Sequence, residues 1–438
     1  MKITRREALR LGLVSSGVLL SPLGFASSAQ ARTALCAKTM LPASTQVPPI
    51  SPKIDRFQQP LRIMEPLQKV LSKTYQVTRE GITFDQPIDY YEITMQKQTI
   101  ELIPARNGQP AITTSIWSYN GTLPGPLIRQ EKNRESCVRF KNELGKDADG
   151  NDICTSVHLH GMASLPQYDG YAEDITPVGY YKDYYYPNNR ASILWYHDHA
   201  VHKTSRNVYM GLAGMYIVEY GEEDFCQAAD AKCLPSGEFE VPLVLQDVTF
   251  KPQPGNPNHW DLVFNDRRQR GVYADVTLVN GVPFPYLKVK RRKYFFRLLN
   301  ASASRTFQLG LSREENSLTL ADDALIVVGS DAGLLDKPAV IKAPKSLPMG
   351  VAERYGVVID FAKFPANVKQ VYLRDFGFSG NLGPTPQSLL RFDLQDDPVT
   401  DPCILPNDRL GILTLRQALI DRSVRTRTFR FGRGSQWT

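Results

Sequence analysis

From Asp89 onward, apolar and polar residues alternate in short runs, the period-two pattern of strands with one buried face. Such runs cover Tyr90 to Gln96, Ile100 to Ile103, Trp117 to Ile128 and Ser136 to Phe140. Turn signals punctuate them at Gly121 and at Pro124-Gly125-Pro126. Residues 211–220 read as a strand closing the first half. Long helical periodicity is scarce, so the pattern predicts an all-β chain. It also repeats weakly. Tyr119-Asn120-Gly121 and the later Val138-Arg139-Phe140-Lys141-Asn142 are echoed by Val279-Asn280-Gly281 and Phe296-Arg297-Leu298-Leu299-Asn300. Two β units in tandem are expected, the second closing near 357–361 and 388–394.

The ends break the pattern. Residues 1–31 read as an export signal: Arg5-Arg6 precede an apolar run from Leu11 to Phe25, and Ala29-Gln30-Ala31 forms a cleavage site. Ser15, Ser16, Gly17, Ser21 and Pro22 interrupt that run too often for a membrane-spanning helix. The paired arginines resemble a twin-arginine signal, with an ordinary secretory signal as the competing reading. Residues 32–85 begin Pro-rich and read as an extended arm lying on the folded body; residues 396–426 read as a linker with a short helix at 411–422. The formal charge of +7 falls to about +4 once the signal's +3 (Lys2, Arg5, Arg6 and Arg10 less Glu7) is removed. That is too mild and too evenly spread for a nucleic-acid surface. No later segment reads as membrane-spanning, and an exported, periplasmic or extracellular monomer is expected. Six cysteines suit an oxidising compartment. Cys226 with Cys233 and Cys137 with Cys154 can bridge, leaving Cys36 and Cys403, which could then pair with each other; free buried thiols are the competing reading.

Histidine placement adds the chemistry. Four of the six histidines fall in two pairs, His158-Leu159-His160-Gly161 and His197-Asp198-His199. Residues i and i+2 of a strand point to one face, about 6.6 Å apart, so each pair aims two imidazoles in one direction. Imidazole binds copper, zinc, iron and nickel. A lone His-x-His is often two ordinary strand residues. Two pairs from so few histidines, 37 residues apart (197 − 160), predict two strands facing one metal cluster. Asp198 lies between two expected ligands, where a carboxylate can orient metal-bound imidazoles. Trp195 and Tyr196 either wall the site or fill the core. Asp169, in Tyr168-Asp169-Gly170, marks a turn by its sequence alone. His202 falls outside the set, and His259 reads as a plain surface residue. At the place of the first pair the second unit has Phe307-Gln308-Leu309.

These motifs resemble the multicopper oxidases, most closely their branch of bilirubin oxidases and spore-coat laccases. The resemblance runs from about Asp89 to the end of the chain. It takes in Tyr119-Asn120-Gly121, Pro124-Gly125-Pro126, both histidine pairs, Val279-Asn280-Gly281, Gly329 to Leu335, and Ala352-Glu353-Arg354-Tyr355. It implies tandem cupredoxin-like Greek-key β-sandwiches: residues 86–222 with half of a trinuclear copper site, residues 223–395 without copper, and residues 427–438 as the stub of a third. It implies copper as cofactor, with His158 as a type 2 ligand and His160, His197 and His199 as type 3 ligands. It gives Asp169 the role of relaying protons toward bound oxygen, which suits a reaction that consumes protons. The implied activity couples one-electron oxidation of a phenolic, tetrapyrrole or metal-ion substrate to four-electron reduction of O2 to water.

The resemblance stops short at the end of the chain. The third-domain histidine motifs of the family do not appear, and no cysteine neighbours a histidine; the nearest, Cys154, lies four residues before His158. A type 1 copper needs a Cys thiolate and two His, so its ligands are absent from these residues. The expectation is a chain with half the cluster's ligands, inactive as written. The competing class is a non-enzymatic exported cupredoxin scaffold or copper-binding protein. The histidines discriminate, because a copper-free scaffold has no use for both pairs.

Overall fold

A computed structural model describes residues 50–79, 82–225, 234–264, 271–321, 323–377, 387–406 and 410. The export signal, the helix expected at 411–422 and the stub at 427–438 lie outside the described residues. The described chain is all-β, with one short α-helix.

The first unit holds β1 (Leu71–Arg79), β2 (Ile82–Ile103), β3 (Ile112–Tyr119), β4 (Gly125–Gln130), β5 (Glu135–Asn142), β6 (Val157–His160), β7 (Tyr181–Tyr186), β8 (Ser192–Asp198), α1 (Thr204–Tyr209) and β9 (Ala213–Val218). Strands β3, β2, β5 and β7 make one sheet, with β1 paired to β2; β4, β9, β8 and β6 make the other. Between them Ile93, Met95, Phe140, Leu159, Tyr196 and Tyr216 form the core. The two runs expected at 90–96 and 100–103 merge into the single strand β2. Its length is held by pairing with β1 and β5 on its first half and with β3 on its second. The run from Trp117 to Ile128 is cut by the turn that its Gly and Pro signals mark.

The second unit holds β10 (Glu240–Val248), β11 (Phe250–Gln253), β12 (Asn256–Leu262), β13 (Val276–Val279), β14 (Val282–Pro283), β15 (Tyr286–Lys290), β16 (Lys293–Asn300), β17 (Phe307–Ser312), β18 (Leu325–Ser330), β19 (Gly333–Val340), β20 (Leu347–Met349), β21 (Arg354–Asp360), β22 (Gln370–Asp375) and β23 (Gln387–Gln395). Sheets β14-β13-β10-β16-β21-β18-β19 and β15-β23-β22-β17-β20 enclose Leu243, Phe296, Leu309, Val357 and Phe392. The β11–β12 hairpin leaves this unit and extends the first unit's sheet beside β3. His259 lies on β12, not in a loop, and its ring nitrogens bond Thr113 Oγ1 (2.9 Å) and Ser115 Oγ (3.1 Å). It is part of the seam between the units.

The described part of the arm does lie on the folded body. Ser51 donates to the Asp275 carboxylate, Phe57 N to Phe284 O, and Leu67 N to Leu127 O. From Leu71 the arm is no longer free chain, because β1 pairs residue for residue with the start of β2.

The internal repeat is a repeat of geometry. Asn120 and Asn280 both adopt positive φ (53° and 50°) before a glycine. Their Oδ1 atoms accept from Thr94 N at 2.7 Å and Val244 N at 2.8 Å. Asn142 and Asn300 each accept from the backbone N–H two residues on. The pairing register corrects the expected counterpart of the first histidine pair. His158 lies opposite His197, which precedes Asp198; Gly310 lies opposite Arg374, which precedes Asp375. Asp198 accepts from Ser156 N and Ala200 N, as Asp375 accepts from Gln308 N and Gly377 N. The match is therefore Gly310-Leu311-Ser312, three residues later than Phe307-Gln308-Leu309. The second unit has Gly310, Ser312 and Arg374 where the first has His158, His160 and His197.

Candidate metal centre

Strands β6 and β8 are adjacent and antiparallel, with His158 opposite His197 and His160 opposite Trp195. Val157, Leu159, Leu194 and Tyr196 point into the core. Strict alternation then sends His158, His160, Trp195 and His197 to the outer face, and a one-residue slip would bury the histidines instead. All seven residues of β8 are buried, because its outer face also meets the second unit. There Ile193 and Trp195 pack with Val244, Leu299 and Ala301.

The four imidazoles gather on that face. Ring centroids are 5.5 Å apart for His158–His160 and His158–His197, 5.4 Å for His158–His199, 5.7 Å for His160–His197 and 5.9 Å for His197–His199. His158, His160 and His197 can offer ligand nitrogens all within 4.8 Å of one another. Hydrogen bonds set the tautomers of two rings. His158 Nδ1–H donates to the carbonyl of Asp169, and His197 Nδ1–H to the carbonyl of Asp198 at 2.8 Å. Both rings thereby carry a lone pair on Nε2, that of His197 lying 3.4 Å from His160 Nδ1. His199 Nδ1 is buried without a hydrogen-bond partner among the described residues. Imidazole nitrogens gathered in this way by His158, His160 and His197, with the His199 ring beside them, are the donor set of a soft or borderline metal ion, copper included.

Burial keeps His158, His160 and His197 unprotonated. Burial, helped by the nearby Arg354 charge, brings His160 down to about 4. Burial holds His197 well below the ordinary imidazole value, and lowers His158 against the opposing pull of Asp169. Neutral imidazole is the form that ligates.

The other expected residues divide. Asp169 reaches the site twice, through the carbonyl that fixes His158 and through Oδ1, 3.7 Å from His158 Nδ1 with a half-exposed side chain. Trp195 does wall the site, stacked at 4.0 Å on His197 and 5.6 Å on His160, whereas Tyr196 is core and donates to Pro126 O. Asp198 holds His197 through its backbone carbonyl alone, and its carboxylate orients no imidazole. Its carboxylate accepts from Ser156 N (2.9 Å), Ala200 N (3.1 Å) and Asn207 Nδ2 (2.9 Å), and burial pushes it up to about 7. The same device recurs at Asp375, in the unit that lacks the histidines, so it belongs to the fold. His202 is exposed. Asn207 and Arg354 are both buried and both tied to the ligand strands; Asn207 carried no signal in the local pattern, and Arg354 stood only within the Ala352–Tyr355 motif, with no role at the site attached to it.

Cys137 and Cys403 are free, and Cys154 is disulfide-bonded. A Cys137–Cys154 bridge and a Cys36–Cys403 bridge are thereby excluded. Cys137 stands between Tyr90 and Tyr185 on the first sheet, while Cys154 packs with Ile175 and Ala200. The partner of Cys154 and the Cys226–Cys233 pair lie outside the described residues.

Sandwich sheets with a histidine cluster on an outer face define a metal-binding protein of the cupredoxin fold. The sequence comparisons narrow the class. A family model for multicopper oxidases matches residues 104–223, which carry both pairs. A bilirubin oxidase of Albifimbria verrucaria is 36% identical over 406 residues, covering 90% of this chain and 64% of that protein. A laccase of Bacillus subtilis (strain 168) is 34% identical over 336 residues, covering 69% and 61%. The crystal structure of a variant of McoA, a multicopper oxidase from Aquifex aeolicus, matches with a TM-score of 0.62 at 24% identity, over 81% of this chain and 68% of that one. The chain belongs to the multicopper oxidase family, and membership implies copper binding. It spans less than two thirds of the length of these two curated relatives.

Proposed function

We propose that this chain contributes the oxygen-reducing side of an oxidase of laccase or bilirubin-oxidase type. Its copper would be held by His158 as the type 2 ligand and by His160, His197 and His199 as type 3 ligands. The observation that carries this reading is the clustering of four imidazole rings, three of which (His158, His160 and His197) bring ligand nitrogens within 4.8 Å of one another and are held neutral by burial, with Nε2 of His158 and His197 left as lone pairs by their carbonyl partners. Bound copper supplies one-electron redox chemistry. The protein's own residues orient the rings, exclude water with Trp195, and place the Asp169 carboxylate 3.7 Å from His158 Nδ1. That carboxylate is open to solvent on one side and to His158 on the other, the placement of a proton relay. The reducing substrate would be a phenol, a tetrapyrrole or a metal ion, with O2 as acceptor. The protein would act as an exported monomer, with sandwiches at about 86–222 and 223–395. No helix among the described residues is long and apolar enough to cross a membrane.

The test is to express residues 32–438, add copper, and record the visible spectrum and oxygen uptake with a phenolic substrate. Loosely held copper, no intense blue colour and no uptake above free copper are expected, since no cysteine of these residues neighbours a histidine. Joining a cupredoxin domain that carries the complementary histidines and a copper-ligating cysteine should restore both colour and uptake. Uptake restored equally when His158 and His197 are replaced by Ala would contradict the assignment.

A further inference from the structure

One side chain of the second unit crosses to the histidine face. Arg354 opens β21, and the residue is 2% exposed. Its Nε donates to Ile193 O on β8 at 2.8 Å, and its Nη1 to Ala352 O at 2.9 Å. Its Nη2 lies against Gly161, the residue after His160, where an added Cβ would stand 2.7 Å away. The guanidinium thus bonds β8 and lies against the residue that follows β6. Gly161 is further held by Arg190 Nη2, which donates to its carbonyl at 3.0 Å. The acid in contact with Arg354 is Asp331, 3.0 Å from Nη1, with a side chain 49% exposed. The cation faces the histidines from a buried position, while its counter-charge sits at the surface, where water screens it.

Cu(I) carries one unit of charge less than Cu(II). A fixed cation in a weakly screened interior therefore favours the reduced ion at a neighbouring site. We infer that Arg354 is a charge-tuning residue of the copper site: it biases copper held by His160 and His197 toward Cu(I), and Asp331 moderates that bias. The inference rests on the copper reading above. It gives the second unit a part in the chemistry of His158, His160, His197 and His199, which all lie in the first.

The test measures Cu(II) and Cu(I) affinities of the full chain separately, each by competition with a chelator selective for that oxidation state. Arg354→Met should raise the Cu(II)-to-Cu(I) affinity ratio about tenfold, the order expected for one unit charge several ångströms away at an effective dielectric near 20. Arg354→Lys keeps the charge and should stay within about twofold of the parent. Asp331→Asn keeps an acceptor for Arg354 N–H, 2.7 Å from Oδ1, yet removes the counter-charge. It should shift the ratio the opposite way, and it carries the test alone if Arg354→Met does not fold. Opposite shifts distinguish a charge effect from structural damage, which would move both variants alike. Ratios unmoved in all three variants, or Met and Asn variants moving together, would overturn the inference while leaving the ligand set intact. A parent chain that takes up neither ion at the histidines would overturn the copper reading, and this inference with it.

Discussion

Nε2 of His197 lies 3.4 Å from Nδ1 of His160. The two residues are brought together by one register of β6 against β8, which also buries Leu159 and Tyr196 on the reverse face. The packing of the core and the assembly of the metal face are therefore a single event. What disturbs the register or its supports should disturb both.

Gly170 supports the loop whose preceding carbonyl, that of Asp169, holds His158. It adopts φ +74°, and an added Cβ would lie 2.1 Å from Val157 O. Gly170→Ala should cost about 2–4 kcal/mol of stability and loosen copper binding together. Denaturant unfolding and a copper titration on the same variant check this; a variant as stable as the parent with intact uptake would contradict it.

Acid should weaken the metal-free chain through its histidines. The folded value of His160 is about 4, below the usual 6.5 of an unfolded imidazole. Between those values the unfolded chain binds a proton that the folded chain refuses, so stability falls as pH drops from about 6.5 toward 4. The contribution is fully present above that window. Buried His197 adds with the same sign. Unfolding midpoints measured from pH 7 to pH 4 should fall more steeply in the parent than in His160→Gln. Parallel curves would show that His160 is not held neutral by the fold.

Asp198 and Asp375 make a matched pair with different consequences. Each accepts from two backbone N–H groups. Replacing either by Ala should cost about 1–3 kcal/mol per donor left buried and unpaired. Asp198→Ala should also weaken copper uptake, because Ala200 N and Ser156 N flank the ligands. Asp375→Ala should leave uptake unchanged. Equal effects of the two variants on copper would show that the second unit's carboxylate is not a silent copy.

Arg305 and Asp247 form an ion pair that is almost wholly buried, with side chains 0% and 1% exposed and 3.0 Å between Nε and Oδ2. Arg305→Met should cost about 3–5 kcal/mol, because it leaves a buried carboxylate uncompensated. Chemical denaturation measures it, and a loss below about 1 kcal/mol would mean that Asp247 is neutral in the folded chain.

Local pattern carried the strands, the two Asn-Gly turns and the facing of the histidine pairs, because each depends on alternation or on positive φ within a few residues. It did not carry Arg354 on Ile193 O, 161 residues away in sequence, since only the docking of the two units creates that contact. Nor did it resolve the counterpart of the first pair. Phe307-Gln308-Leu309 alternates as well as Gly310-Leu311-Ser312 does, and only pairing with β22 separates them. Asp198 looked like an orienting partner for its neighbours, yet its side chain turns from the imidazoles to the backbone N–H groups behind them. The cysteines were undecidable from spacing because bridging depends on which sheet face each occupies, as Cys137 and Cys154 show.

The most direct test is a Cu(II) titration of the full chain followed by electron paramagnetic resonance, in the parent and in His158→Ala, His160→Ala, His197→Ala and His199→Ala. The parent should show copper coupled to several imidazole nitrogens. Each variant should lose at least about tenfold in affinity, the loss that even outer-shell partners of a metal site cause. Copper bound as tightly, and with the same nitrogen coupling, when His160 and His197 are both replaced would contradict the site.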